Sequence, residues 1–242
     1  MGMPVTVDIV DPSATMDLID LVFDYFEYID DKFSTYKEHS EISLINKQML
    51  RLEDASDDMR TVFQLAEETR LRTDGFFDIQ YKGYYDPSGL VKGWAICNAS
   101  KILSQKGFAN FYVDAGGDIQ VMGKNSEVQN WRVGIRNPFD NDEIVKILSV
   151  TNCGVATSGT YIRGQHIYNP KSEDQTPGSE ILSLSVIGPD VFEADRFATA
   201  AFAMGYEGIN FIERLQGFEG YMIDREKLAT FTTGFERYVI HD

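Results

Sequence analysis

Asp195 and Thr199 stand four residues apart in the run Ala194-Asp195-Arg196-Phe197-Ala198-Thr199-Ala200-Ala201-Phe202-Ala203. On a helix that spacing puts a carboxylate and a hydroxyl on one face. Both are hard oxygen donors, suited to Mg²⁺ rather than to zinc. The small neighbours let another backbone or a ligand come close. The same pattern also fits an acidic residue complementing a helix start and a threonine bonding back to its own helix. A second group is Asp86-Pro87-Ser88-Gly89-Leu90-Val91-Lys92-Gly93. It reads as a turn leading into a helix, where glycine permits close approach, the first amides attract an anion and Lys92 adds a cation. It lacks P-loop spacing, and a capped turn explains it as well. His166 lies in His166-Ile167-Tyr168-Asn169-Pro170 and is one of three histidines; it serves as a base or as a structural donor beside a turn. Tyr36, Phe76 and Phe77 suit either a flat ring or the core.

These groups need elements to hold them. Val5 to Val10 alternates as a strand does. Asp11-Pro12-Ser13 then opens a helix, with Ser13 as its cap and Leu18, Leu21, Val22, Tyr25, Phe26 and Ile29 at helical spacing. Ser40 and Ser56 each precede a further helix, and Asp74-Gly75 closes that helical half. Trp94, Ala95, Ala99, Ile102 and Leu103 predict a helix from Gly93 to about Gln105, stopped by Gly107. Strands are expected at 110–115, 118–123, 131–136, 144–151, 153–157 and 181–188. Helices follow at 191–204 and 207–215, then strands near 219–223, 228–232 and 236–240. Asp114-Ala115-Gly116-Gly117-Asp118 reads as a tight hairpin turn, and Val155-Ala156-Thr157-Ser158-Gly159 ends a strand in hydroxyls. The hairpin-like spacing points to antiparallel sheet packed by helices, an α+β fold, in one unit spanning 1–242.

Composition limits the partners. With 22 basic and 38 acidic residues the formal charge is −16, which argues against nucleic acid and against an anionic membrane surface. A pyrophosphate would be repelled too, unless a bound cation reverses the local field. Hydrophobic residues at 43% and aromatics at 12% supply a real core. Cys97 and Cys153 have no metal-ligand spacing and read as reduced, structural thiols. No apolar run is long enough for a membrane span, and the first residues lack a signal peptide's pattern. A cytoplasmic protein is the simplest expectation.

Weak singly, the motifs occur in one order, and in that order the chain resembles the ApbE family, the FAD:protein FMN transferases once described as thiamine-biosynthesis lipoproteins. The resemblance runs nearly end to end. It includes Met1-Gly2, Phe33-Ser34-Thr35-Tyr36, Ser40-Glu41-Ile42-Ser43 with Asn46, and Gly75-Phe76-Phe77-Asp78. It continues through Asp86 to Gly93, Ala115 to Asp118, Ala156 to Gly159, His166 to Pro170 and Ala194 to Thr199.

The resemblance implies an α+β fold of two intertwined halves around antiparallel sheet. It implies Mg²⁺ held by the Gly89 carbonyl, Asp195 and Thr199, with backbone at Ala198 nearby. It places FAD contacts at Met1, Tyr36, Phe76, Phe77, Asp78, Asp86, Lys92 and Ile167. Asn46 matches a position that affects whether FAD is hydrolysed or retained. The implied partner is a flavin-carrying redox subunit whose threonine or serine hydroxyl attacks the FMN-side phosphorus of FAD, releasing AMP. His166 is the better candidate base and Asp195 a metal ligand, with Asp195 as the base if His166 is not. Hydrolysis of FAD to FMN and AMP, or flavin binding without turnover, are the rival readings. The chain departs from the family in three places. The stretch from Asp78 to Asp86 lacks a segment of several tens of residues, Asn169 replaces an acid, and Arg196-Phe197 replaces a small residue and leucine.

Overall fold

In a computed structural model, which describes residues 3–159, 168–172 and 180–241 (the side chain of Asn141 excepted), the elements alternate between helical and stranded blocks. The first half runs β1 (Val5–Ile9), α1 (Met16–Phe33), α2 (Glu41–Asn46), α3 (Asp57–Arg72), β2 (Gln80–Tyr81), β3 (Tyr84–Tyr85) and α4 (Ser88–Gln105). The second runs β4 (Phe111–Ala115), β5 (Asp118–Met122), β6 (Trp131–Asn137), β7 (Asp140–Val150), β8 (Cys153–Gly159), β9 (Ile181–Gly188), α5 (Val191–Ala203), α6 (Glu207–Glu213), β10 (Glu219–Asp224) and β11 (Ala229–Phe231).

Seven strands form one sheet in the order β1-β4-β5-β8-β9-β10-β11, antiparallel at every pairing. Both faces are covered. Phe111, Val113 and Ala115 of β4 join a core made with α1, α3 and α4, while Leu184 and Val186 of β9 meet α5 and α6. On the opposite face Ile119, Val121, Ile187, Tyr221 and Ile223 pack against the β6–β7 hairpin through Trp131, Val133, Ile135, Leu148 and Val150. α1 buries Leu18, Val22, Phe26, Ile29 and Phe33, a one-faced stripe typical of a helix lying on a core. α4 and α5 are buried nearly all round and form the centre of the helical layer.

Ser40 and Ser56 act as caps, accepting the Ser43 and Met59 amides at 3.2 and 3.3 Å. Other expectations need correction. Ser13 does not cap α1, which starts at Met16 behind Thr15. The preceding residues form a turn, with Ala14 N–H donating to Asp11 O, and Asp11 Oδ2 is drawn aside to accept the Asn110 amide at 3.0 Å. α4 starts at Ser88 rather than Gly93. Pro87 carries a helix-compatible φ of −82°, the Leu90 and Val91 amides reach its carbonyl, and Asp86 Oδ1 accepts the Ser88 amide at 3.0 Å. Gly89 and Lys92 are therefore inside the helix. The strand expected at 236–240 is a 3-10 turn, Phe235–Tyr238, with a single bridge from Val239 to Leu148. A threefold turn brings Phe235 and Tyr238 to one side, and the Phe235 side chain is fully buried. Between Asp78 and Asp86, where no element was expected, β2 and β3 pair through Lys82 and Gly83, both at positive φ (48° and 85°). That is the backbone of a two-residue type I′ hairpin.

Candidate active site

α4 and α5 cross with small residues face to face. Thr199 Oγ1 donates to the Gly89 carbonyl at 3.2 Å, and Asp195 Oδ2 accepts the Gly93 amide at 2.8 Å. On each helix the two members are four residues apart and the pairs run in opposite senses, so the helices cross antiparallel. A helix ordinarily pairs the amide of residue i with the carbonyl of i−4, which here are Gly93 and Gly89; each of the two has an α5 side chain as a partner. Thr199 is thus turned to a neighbouring helix, and Asp195 lies beyond the first turn, where Asp190 is the cap and accepts the Glu193 amide at 2.9 Å. Gln120 of β5 fixes the start of α5 by accepting the Val191 amide at 2.8 Å.

Charge gathers at this crossing. Lys92 Nζ lies 2.6 Å from Asp118 Oδ2 and 3.8 Å from Asp195 Oδ1, and both carboxylates are buried. Asp118 Oδ1 accepts the Thr157 amide at 3.1 Å. Ser158 Oγ lies 3.4 Å from Thr199 Oγ1. Burial pushes the Asp195 carboxyl up to about 8; the Lys92 ammonium pulls it down, and the Asp118 charge adds to the rise. A cation taking Asp195 as ligand needs it ionised, so it displaces a proton. If Mg²⁺ takes this carboxylate, its affinity should therefore increase as pH rises from the acid side. Calorimetric titration of Mg²⁺ in buffers of different ionisation enthalpy, at pH 6.5 and 8.5, should find more proton release at the lower pH.

The donors suit a hard cation. A carboxylate, a hydroxyl and a carbonyl are all oxygen ligands, and Thr199 Oγ1 lies 3.2 Å from Gly89 O. Among the described residues no three His, Cys, Asp or Glu side chains gather as a metal site.

The chain matches the model of the ApbE family over residues 1–86 and 82–222. The chain belongs to the ApbE family. The two matched stretches overlap at residues 82–86, which include β3. Among curated ApbE relatives, a Klebsiella pneumoniae protein named FAD:protein FMN transferase is 30% identical over 152 residues, 59% of this chain and 43% of its own length. An Escherichia coli protein of the same name is 29% identical over the same shares. The matched part is less than half the length of either. The fold agrees with ApbE structures: the flavin transferase from Vibrio cholerae superposes with a TM-score of 0.85 at 22% identity, covering 98% of this chain and 96% of that one. The protein from Thermotoga maritima gives 0.82 at 20%, with 98% and 94% covered.

The other positions carried over from the ApbE motifs fall around this crossing or apart from it. Phe77 is buried, and its ring edge would stand 3.5 Å from a Cβ at Gly89. Ala198 is fully buried beside Thr199. Phe76 is half-buried with the Lys171 ammonium 4.5 Å above its ring. Asp78 Oδ1 accepts the Gln80 amide at 2.8 Å and its carbonyl accepts the Tyr168 hydroxyl at 2.6 Å, which pins the short hairpin. Tyr36 is 96% exposed. Met1, His166 and Ile167 lie outside the described residues. Asn46 holds backbone: its Nδ2 donates to Tyr85 O at 2.9 Å and its Oδ1 accepts the Tyr85 amide at 2.7 Å, one residue before Asp86. Asn46→Ala should cost about 1–3 kcal/mol through these two lost partners, read as a lower melting point and as faster exchange of the Tyr85 amide. Residue spacing did not bring Asp118 and Ser158 to the site. Their motifs, Gly-Gly-Asp and Ala-Thr-Ser-Gly, were legible as turn and strand end, but the partner in space was not.

Proposed function

We propose that this chain transfers FMN from FAD to a threonine or serine hydroxyl of an acceptor protein, with release of AMP. The observation that carries the reading is the meeting of Gly89 O, Thr199 Oγ1 and Asp195 at the α4–α5 crossing in a member of the ApbE family. The acceptor oxygen forms a bond to the FMN-side phosphorus, the bridging P–O bond breaks toward AMP, and the hydroxyl proton passes to a base. We assign that base to His166, because an unperturbed imidazole is in general partly neutral at pH 7. Asp195, Thr199, the Gly89 carbonyl and backbone at Ala198 would hold Mg²⁺. That ion supplies neutralisation of the pyrophosphate and of the leaving oxygen's charge, which a chain of −16 needs.

The residues around the crossing divide the remaining work. The first amides of α4 face an anion favourably, and Asp86 fixes that helix start through the Ser88 amide. Lys92 sets a positive charge one turn further on. Phe77 walls the Gly89 side against water. Met1, Tyr36, Phe76, Asp78 and Ile167 are assigned to the flavin and adenine rings, with Asn46 shaping the wall through Tyr85. The acceptor is a flavin-carrying redox subunit, and no helix among the described residues is long and apolar enough to cross a membrane.

Incubation with FAD and Mg²⁺, with and without an acceptor peptide carrying a threonine, tests the reading. AMP release with flavin mass added to the peptide is expected. AMP released equally without peptide would replace transfer by hydrolysis. FAD binding with no AMP in either arm would leave a flavin-binding protein.

A further inference from the structure

We propose that Asp118 is a positioning residue that holds the Lys92 ammonium away from Asp195, so that the Asp195 carboxylate stays open to a divalent cation. This rests on the reading of Asp195 as a cation ligand. One ammonium stands between two buried carboxylates and is shared unequally, 2.6 Å from Asp118 Oδ2 and 3.8 Å from Asp195 Oδ1. Attraction between charges falls with separation, so the nearer carboxylate sets where Lys92 rests.

Asp118 is fixed for that task. It opens β5 directly opposite Ala115 in the β4–β5 hairpin, is 1% exposed, and has its Oδ1 tied to the Thr157 amide of β8. Its Oδ2 has no hydrogen-bond partner of good geometry among the described residues. Its compensation there is the Lys92 charge. Asp195, by contrast, commits Oδ2 to the Gly93 amide, which leaves Oδ1 as the oxygen facing Lys92 and as the oxygen a cation would take. Lys92 has a flexible stem, and both carboxylates lie within 4 Å of its ammonium. With Asp118 neutralised, the ammonium moves onto Asp195 Oδ1 and competes with the cation for it.

The test uses Mn²⁺ as the probe, counted by the electron paramagnetic resonance of the free ion, on the full chain with and without FAD. Asp118→Asn keeps the shape and removes the charge. It should weaken Mn²⁺ binding by roughly 10- to 100-fold, the usual effect of removing a partner that orients a metal ligand. A crystal structure of metal-free Asp118→Asn should show Lys92 Nζ in hydrogen-bond contact with Asp195. Unchanged Mn²⁺ affinity would overturn the proposal. So would weakened binding with Lys92 unmoved, since the loss would then come from charge alone. If Asp118→Asn does not fold by circular dichroism, Lys92→Met decides: without its competitor Mn²⁺ should bind at least as tightly as in the parent, and weaker binding overturns the proposal. A parent chain that binds no Mn²⁺ at all fails at the earlier step, and both readings go with it.

Discussion

Asp195→Asn should lower FMN transfer by roughly 10²–10³-fold or more, the loss that follows removal of one charge-stabilising group from an active site, without unfolding the protein. The two effects separate because an asparagine keeps the contact with the Gly93 amide and loses only the charge that the proposed cation would need. Asp195 is 3% exposed, and burial raises its pKa above the carboxylate range, so in the metal-free protein its ionisation opposes folding at neutral pH. An asparagine has nearly the same shape, still accepts the Gly93 amide and carries no charge to desolvate. In EDTA the variant should melt no lower than the parent, whereas Mg²⁺ should raise the parent's melting point alone. AMP release and thermal melts on the same preparation check both halves. Normal AMP release at saturating Mg²⁺ would remove Asp195 from the reaction.

Gly93→Ala should be the most damaging single methyl in the site. Its Cβ would stand 2.6 Å from Asp195 Cβ and 2.8 Å from the Val191 carbonyl. Neither atom belongs to a flexible side-chain end, so α4 and α5 must part. Alanine gains up to about 1 kcal/mol of helix propensity over glycine, but overpacking a tight core costs typically about 1–3 kcal/mol. The clash wins because backbone cannot rotate away. Melting should fall by roughly 5 °C, as about 1–2 kcal/mol does in a chain of this size. Transfer should fall with it, because separating the helices breaks the Gly93–Asp195 bond and opens the Thr199–Gly89 contact. Stability and activity at parental level would show that the crossing is looser than its glycines require.

Much of the site was legible because its signals are local. The i, i+4 spacing of Asp195 and Thr199 and the small residues around them describe one face of α5 without knowledge of its neighbour. Ser40 and Ser56 announced helix starts by the same short-range chemistry. The start of α4 was misplaced because Asp86 to Gly93 contains proline and glycines, which signal a turn until Gly89 and Gly93 are seen pressed against α5. The strand expected at 236–240 is a 3-10 turn, Phe235–Tyr238, because Phe-Glu-Arg-Tyr is too short to carry a clear period of either kind. The Lys92–Asp118 contact joins a helix to a strand that arrives later in the chain, and no periodicity reports such a meeting. Arg196 illustrates the same gap. It is 2% exposed, with its guanidinium against the Phe192 and Phe197 rings and in ion pairs with Glu68 and Glu193. From sequence it was only a departure from a small residue.

Gly93, Asp195 and Thr199 sit in the interior of two helices buried nearly all round, and Gly89 in the first turn of one of them, not on loops carried by them. A centre of that kind shares its opening reaction with the core: the amides and side chains that hold it separate only when the helical layer comes apart, at a free energy near that of global unfolding. Loss of the α4–α5 crossing and loss of helical structure should therefore follow one urea curve, and partial denaturation should leave a mixture of competent and unfolded molecules instead of a population of weakened ones.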